Sequence, residues 1–138
     1  MKKLLFLSVA CFVAISAYSQ DQCELVVKIE NIKKVKGSLK VALYNHEDHF
    51  LSKEVMSDGK LIDSSTMEFS FKGLGQGTYA VSIYQDENDN GKLDANFMGI
   101  PSEPYAFSNN AKGMFGPPSF QDCQFEIKEG AKQIIISL

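Results

Sequence analysis

Apolar and polar residues alternate along six segments of this sequence, and this alternation restricts the fold more than any other feature. In "TMEFSFKG", Met67, Phe69 and Phe71 alternate with polar or charged residues. Successive side chains of a β-strand point to opposite faces, so the pattern is typical of a strand with one buried face. The other five segments are "CELVVKIENI", "SLKVALYN", "TYAVSIYQ", "DCQFEIK" and "KQIIISL". The alternation predicts half-buried antiparallel strands.

Turn signals separate these segments. They are "KKVKG", "SDGK", "GLGQG" and "KEGAK". A further short strand, from near Val55 to Ile62 around the Asp-Gly pair, would bring the count to about seven. Residues 46–54 are expected to make one helical turn. Many short strands separated by turns predict an all-β, two-sheet antiparallel sandwich formed by one domain, residues 20–138.

The parity of the alternation predicts which side chains are buried together between the two sheets. They are the apolar members of the alternating segments. The predicted core is Leu25, Val27, Leu39, Val41, Phe69, Phe71, Val81, Ile83, Phe125, Ile127, Ile134 and Ile136.

The first nineteen residues have the features of a secretory signal peptide. Lys2 and Lys3 precede the apolar run "LLFLSVACFVAISA", and Ala17 and Ser19 are small residues at the −3 and −1 positions before Gln20. Such a segment directs export and is removed. A lipoprotein box ending at Cys11 is the alternative, although the apolar run continues beyond that cysteine. We therefore predict an exported protein, periplasmic or extracellular.

Charge and composition exclude some partners. The formal net charge of −3 becomes −5 when Lys2 and Lys3 leave with the signal peptide. The sequence has no basic stripe or arginine-rich patch, so a nucleic-acid partner is not expected. No second apolar run reaches the roughly 20 residues that a membrane helix needs. The remaining partner classes include a cell-envelope protein or a glycan.

Two cysteines remain after the signal peptide, Cys23 and Cys123. An even pair in an oxidising compartment is a candidate disulfide, and both residues have the parity of the inward-facing set. Two buried thiols are the alternative interpretation.

The segment "QDENDNGKLD" concentrates oxygen-bearing side chains directly after a predicted strand. Its spacing follows positions 1, 3, 5, 7 and 9 of helix-loop-helix calcium loops, with Gly91 at the sharp turn of position 6. Position 12 is Phe97 instead of glutamate, and Glu103 is the carboxylate that could return to the loop. A polar turn, in which Asn and Asp bond their own backbone, is the alternative. The candidate Ca²⁺ ligands are Asp86, Asn88, Asn90, the Lys92 carbonyl and Asp94.

From Asp86 to Pro118 the sequence lacks a strand period and holds all four prolines, which predicts one long ordered loop. Its aromatic and amide side chains would either bind a ligand or form a small core that pins the loop to the sandwich. The candidate ligand-binding residues are Tyr105, Phe107, Asn109 and Phe115.

The two histidines are not expected to form a metal site or a catalytic site. His46 and His49 stand three apart in "NHEDHF", the spacing of a transition-metal pair, but a solvated turn is the simpler interpretation. Neither histidine lies in a triad context, and no serine occupies a strand-to-helix elbow. We therefore expect no enzymatic activity.

The run from Phe71 to Phe125 resembles DUF2141, a bacterial secreted family of unknown function. Its most specific pieces are "GTYAVSIYQDENDNGKLD", "NFMGIPSEPYAFSNNA" and "GPPSF". The resemblance implies an immunoglobulin-like or prealbumin-like β-sandwich and no known reaction. Residues and resemblance together predict an exported, non-catalytic module with a binding or structural role. A small carbohydrate- or small-molecule-processing accessory protein, with a site in residues 95–118, is the alternative.

Overall fold

The computed structural model describes residues 22–138. The predicted signal peptide and Cys11 lie outside the described residues. Within residues 22–138 the chain forms eight strands, two short 3-10 helices and one four-residue α-helix. The strands are β1 (Cys23–Glu30), β2 (Ser38–Tyr44), β3 (Met56–Leu61), β4 (Met67–Leu74), β5 (Gly77–Asp86), β6 (Tyr105–Phe107), β7 (Phe125–Ile127) and β8 (Ala131–Ser137). The helices are the 3-10 turns Glu47–His49 and Ser108–Asn110, and α1 (Phe120–Cys123).

The described strands form two sheets, which confirms the all-β sandwich. The smaller sheet has the order β4-β1-β8 and the larger has the order β3-β2-β5-β6, with β7 also paired to β5. One pairing departs from the antiparallel expectation, because β8 runs parallel to β1. Strand β5 is long enough for β6 to pair with Ser82–Tyr84 and for β7 to pair with Gly77–Tyr79.

The predicted core is confirmed. Ten of its twelve side chains are buried, and the other two, Phe125 and Ile134, are partly buried and pack against the same cluster. The cluster combines the inward faces of both sheets, so the period-2 pattern assigned each strand to the correct face.

The Asp-Gly pair of the third strand does not make a turn. Asp58 and Gly59 lie inside β3, where Gly59 pairs with Lys40 of β2. A Cβ on Gly59 would lie 2.9 Å from Lys40 Cδ, so the glycine provides room for the lysine stem. The expected turn is therefore an extended edge strand with all its residues exposed.

The interval between Asp86 and Phe125 holds structure that the alternation did not predict. Strand β6 pairs with β5 through only three residues, too few to show a period. Helix α1 is one turn long and begins with a capping box between Ser119 and Asp122. Asp122 and Cys123, which were expected to begin a strand, belong to this helix.

The free edges of the two sheets are joined by polar contacts. Lys60 Nζ donates to the Glu68 carbonyl at 2.7 Å and lies 4.6 Å from the centroid of the Phe69 ring, which connects β3 to β4. On the opposite side, the Ser137 N–H donates to Asn110 Oδ1 at 2.8 Å, which connects β8 to the second 3-10 turn. These contacts occupy strand edges that would otherwise be open to pairing.

Candidate functional site

Asp86 closes the oxygen-rich loop at the end of β5. Its side chain is buried, and its two carboxylate oxygens accept hydrogen bonds from the N–H groups of Asn90 (3.1 Å) and Gly91 (2.8 Å). Gly91 has a φ of +80°, a conformation that glycine adopts at no steric cost. Asp86, the first candidate ligand, thus stabilises the turn at Asn90 and Gly91 through its carboxylate.

The Asp94 carboxylate accepts hydrogen bonds from the side chains of two other candidates, Asn88 and Asn90. The amide of Asn88 donates to Asp94 Oδ2 at 2.7 Å, and the amide of Asn90 donates to both carboxylate oxygens at 2.9 and 3.0 Å. The Lys92 N–H donates to Asn90 Oδ1 at 2.9 Å. The side chains of positions 3, 5 and 9 therefore meet in one place, with the two amide groups donating to the Asp94 carboxylate.

Glu103 contacts this loop although it lies sixteen residues after Glu87 in the sequence. Its buried carboxylate accepts hydrogen bonds from the Glu87 N–H at 2.8 Å and the Asp94 N–H at 2.9 Å. The Ser102 N–H donates to the Asp94 carbonyl at 2.8 Å, so the two ends of the loop are held side by side. Glu103, the carboxylate expected to return to the loop as a further ligand, bonds to the loop backbone.

Three carboxylates at this loop have no cationic side-chain partner within residues 22–138. Asp86, Asp94 and Glu103 are absent from the ion pairs formed there, whereas Glu87 pairs with Lys34 at 3.1 Å. In the same part of the chain, no three His, Cys, Asp or Glu side chains are grouped closely enough to hold a metal ion. A cation here would therefore depend on the amide and backbone oxygens as well as on the carboxylates.

The pKa of Tyr84 depends on the charge of this loop. Its hydroxyl donates to the Gly91 carbonyl at 3.3 Å. Burial raises the pKa of Tyr84, and the negative charges of Asp86 and Glu103 raise that pKa further. The ionisation of the Tyr84 phenol is therefore coupled to the charges of the two buried carboxylates.

A tight apolar turn lies at the far end of the loop. The Asn96 side chain accepts hydrogen bonds from the N–H groups of Met98 (2.9 Å) and Ile100 (3.1 Å), and Ala95 forms a β-bridge with Pro101. Phe97 at its tip is 98% exposed. The turn is ordered by its own backbone and presents apolar side chains to solvent.

The aromatic residues of residues 95–118 divide into two groups. Phe107 is buried in a second apolar cluster, where its ring and that of Phe120 both contact Phe50. Tyr105 is 43% exposed, and Phe115 is fully exposed. Phe107 therefore attaches the loop to the sandwich by apolar packing, whereas the exposed Phe115 does not pack on the sandwich.

A cleft of about 570 Å³ lies beside β6 and is lined by Tyr105, Phe107 and Asn110 among others. Asn109 has a different role, because its amide donates to the carbonyls of Asp122 (3.0 Å) and Gln124 (2.9 Å). Asn109 thereby fastens helix α1 to the preceding 3-10 turn. The prediction named Asn109 as a candidate ligand-binding residue, whereas the asparagine that lines the cleft is its neighbour Asn110. Both have positive φ and neither lies in a periodic segment, so no local pattern separates them.

The predicted Cys23–Cys123 disulfide is wrong: within residues 22–138 no bond joins these cysteines. Cys23 lies in the cluster between the sheets, whereas Cys123 lies in the second cluster with Tyr44 and Ala80. Ala80 alternates along β5 with Tyr79 and Val81, which face the first cluster, so the second cluster covers the other face of the larger sheet. Burial raises the pKa of the Cys123 thiol to about 11, with a contribution from Asp122.

The two histidines lie on an exposed turn. His46 Nδ1 accepts a hydrogen bond from the Asp48 N–H at 3.2 Å and caps the 3-10 turn Glu47–His49. The two imidazole rings are 5.5 Å apart between centroids. This capping bond accounts for His46 without a metal ion.

None of the helices in residues 22–138 has the length and apolar character needed to cross a bilayer.

The fold and its loops define an all-β sandwich in which one long segment, between β5 and α1, carries the candidate sites. A model of a family of uncharacterised proteins conserved in bacteria, DUF2141, matches residues 27–135, and the chain belongs to this family. Searches among curated proteins and among solved structures found no match.

Proposed function

We propose that the protein is an exported, non-catalytic β-sandwich module with a binding or structural role, and that its 86–94 loop binds Ca²⁺. The observation that carries this proposal is the burial of Asp86 and Glu103, which are linked to Asp94 through Asn90 and the Asp94 N–H, with no ion pair to any of the three within residues 22–138. Burying a carboxylate without a cation is costly, so a bound cation would stabilise this arrangement.

The chemistry of the loop suits a hard cation. The proposed ligands are carboxylate oxygens of Asp86 and Asp94, amide oxygens of Asn88 and Asn90, and the Lys92 carbonyl, and calcium prefers six to eight oxygens. A carboxylate has about four acceptor positions, so Asp86 can accept its two backbone hydrogen bonds and still ligate. The amides of Asn88 and Asn90 would turn to present oxygen to the ion. Thiolates and imidazoles are absent from this segment, which disfavours softer metals.

The role proposed for the ion is structural. Glu103 ties the return of the loop to Asp94, so an ion at Asp94 would stabilise both ends of the long segment together. Extracellular calcium modules bind with dissociation constants of about 10⁻⁴ to 10⁻³ M. At a free concentration 100 times the dissociation constant, binding would add about 2.7 kcal/mol to the free energy of unfolding.

The test is thermal denaturation of the purified protein in 10 mM CaCl₂ and in chelator, in the wild type and in Asp94→Asn. Asp94 is the appropriate site because its carboxylate bonds only amide side chains, so the variant keeps an oxygen and the backbone hydrogen bonds. Asp89→Asn is the matched control: it removes the same charge from the same loop at an exposed residue outside the proposed ligand set, and Asn tolerates the φ of 55°.

Calcium should raise the melting temperature of the wild type and of Asp89→Asn by several degrees, and that of Asp94→Asn by much less. Magnesium at equal ionic strength should have a smaller effect, because it requires a tighter octahedral shell. An equal calcium response in all three proteins would overturn the proposal and leave the loop as a polar turn.

A further inference from the structure

Met114 and Phe115 occupy the tip of a tight turn and are 90% and 100% exposed. Glycines flank them, and a Cβ on Gly113 would lie 2.0 Å from the Gly116 carbonyl oxygen. The backbone segments at Gly113 and Gly116 are therefore in close contact at the base of the turn, and only glycine fits at position 113. The turn projects two large apolar side chains into solvent instead of folding them onto the sandwich.

Two lysines line the cleft beside this turn. Lys33 and Lys112 are among the lining residues of this cleft of about 570 Å³, together with Gly113, Gly116 and the last residue, Leu138, and no Asp or Glu side chain is among them. Neither lysine takes part in the ion pairs formed within residues 22–138. Within residues 22–138, two lysines without an ion-pair partner thus lie next to an apolar turn whose two tip side chains are almost fully exposed.

We propose that this turn and the two lysines dock on an anionic lipid surface, with Met114 and Phe115 entering the interface and Lys33 and Lys112 at the level of the headgroups. A lipid layer accepts a convex apolar tip without a complementary pocket, and long lysine side chains keep their charge in the headgroup region. A stable protein partner would bury about 800 Å² on each side, much more than one four-residue turn supplies. The cations beside the turn favour an anionic layer over a neutral one.

The other exposed apolar turn, at Phe97 and Met98, provides a matched comparison. Its tip is also well exposed, at 98% and 65%. However, it follows the loop that holds Asp86, Asp89 and Asp94, whose negative charges an anionic surface repels. An anionic surface therefore favours the Met114–Phe115 turn over the Phe97–Met98 turn.

The test is cosedimentation of the purified protein with vesicles of phosphatidylcholine alone or mixed with phosphatidylglycerol, in chelator. Chelator prevents calcium bridging and separates this proposal from the one on the 86–94 loop. The variants are Lys33→Gln with Lys112→Gln, and Met114→Ser with Phe115→Ser; the control is Phe97→Ser with Met98→Ser. These side chains are exposed, and thermal denaturation checks that each variant remains folded.

The wild type and the control should bind the anionic vesicles and not the neutral ones. A lysine near an anionic surface strengthens binding about fivefold, so the double lysine variant should bind about 30-fold more weakly. The Met114 and Phe115 variant should also lose binding. No affinity for anionic vesicles, unchanged affinity of the lysine variant, or an equal loss in the control would each overturn the proposal.

A fluorescence measurement locates the contact independently. The sequence contains no tryptophan, so Phe115→Trp and Phe97→Trp each introduce a single reporter. Anionic vesicles should shift the emission of the Trp at position 115 to the blue and leave the emission at position 97 unchanged. A shift at position 97 alone would contradict the proposed orientation.

Discussion

The Asp94 N–H donates to Glu103 Oε2 at 2.9 Å, a contact that joins the start of the long β5–β6 connection to its end. Because the other Glu103 oxygen accepts the Glu87 N–H, one buried carboxylate holds both sides of the loop. A residue outside the calcium-like sequence pattern therefore orders this loop together with Asp86.

Glu103→Gln should destabilise the protein by about 1–3 kcal/mol. The glutamine amide offers one acceptor in place of two, and its NH₂ group would face a backbone N–H, so a buried donor loses its partner. Urea denaturation of the wild type and the variant measures the difference. Glu126→Gln, at an exposed residue paired with Lys128, should change the free energy of unfolding by less than about 0.5 kcal/mol. Equal effects of the two substitutions would contradict the bridging role of Glu103.

Ser108→Ala should also destabilise the protein, by about 1–3 kcal/mol. The buried Ser108 hydroxyl accepts the Val81 N–H at 2.9 Å and donates to the Cys123 carbonyl at 2.5 Å, so the variant leaves both backbone groups without that partner. Ser57→Ala, on the exposed edge strand, is the control and should be nearly neutral in the same denaturation measurement. A neutral Ser108→Ala would show that the helix is held to β5 by apolar packing alone.

Cys123 should resist alkylation in the folded protein at pH 8. With a pKa of about 11, only about one thousandth of the thiol is ionised at that pH, and the thiolate is the reactive form. Iodoacetamide labelling followed by peptide mass spectrometry should find Cys123 unmodified before denaturation. In urea without reductant, Cys123 should be modified. A second peptide linked through Cys123 would contradict the structure.

The Cys123 thiol should also make stability depend on alkaline pH. Its folded pKa is raised above the unfolded value of about 8.5, so the neutral thiol is favoured in the folded state. This contribution is fully present below about pH 8.5 and is lost as the pH rises toward 11. Cys123→Ala should show a shallower loss of stability over this range in urea denaturation. An identical pH profile for the variant would mean that other groups determine it.

Calcium should lower the pKa of Tyr84, if the ion binds as proposed. That pKa is raised first by burial and then by Asp86 and Glu103, and neutralising these carboxylates removes part of the increase. The difference in absorbance at 295 nm between the wild type and Tyr84→Phe follows this phenol during an alkaline titration. Calcium that stabilises the protein without moving this titration would indicate a binding site elsewhere.

Much of the fold could be predicted because strand alternation is a local property. Phe69 and Phe71 are buried since residues two apart on a strand share a face, whatever the strand pairs with. The oxygen-rich run was also recognisable, because Asp86, Asn88 and Asn90 are close in sequence and the turn brings them together through their own backbone.

Other features depended on contacts between distant residues. Alternation placed Cys123 on the inward face, but its segment is a helix that packs on the opposite side of the larger sheet. Gly59 lies inside a strand, where it pairs with Lys40 of β2, although Asp-Gly is a common turn signal. In both cases a tertiary neighbour overrode the local preference.

The sequence by itself determined which residues face the core and which loop carries the acidic and amide side chains. Only the tertiary structure decided that Glu103 joins the two sides of that loop and that Lys33 lies beside the Met114–Phe115 turn. The physical reason is range: period-2 alternation and turn chemistry act over a few residues, whereas these contacts join residues whose separation along the chain leaves no local pattern.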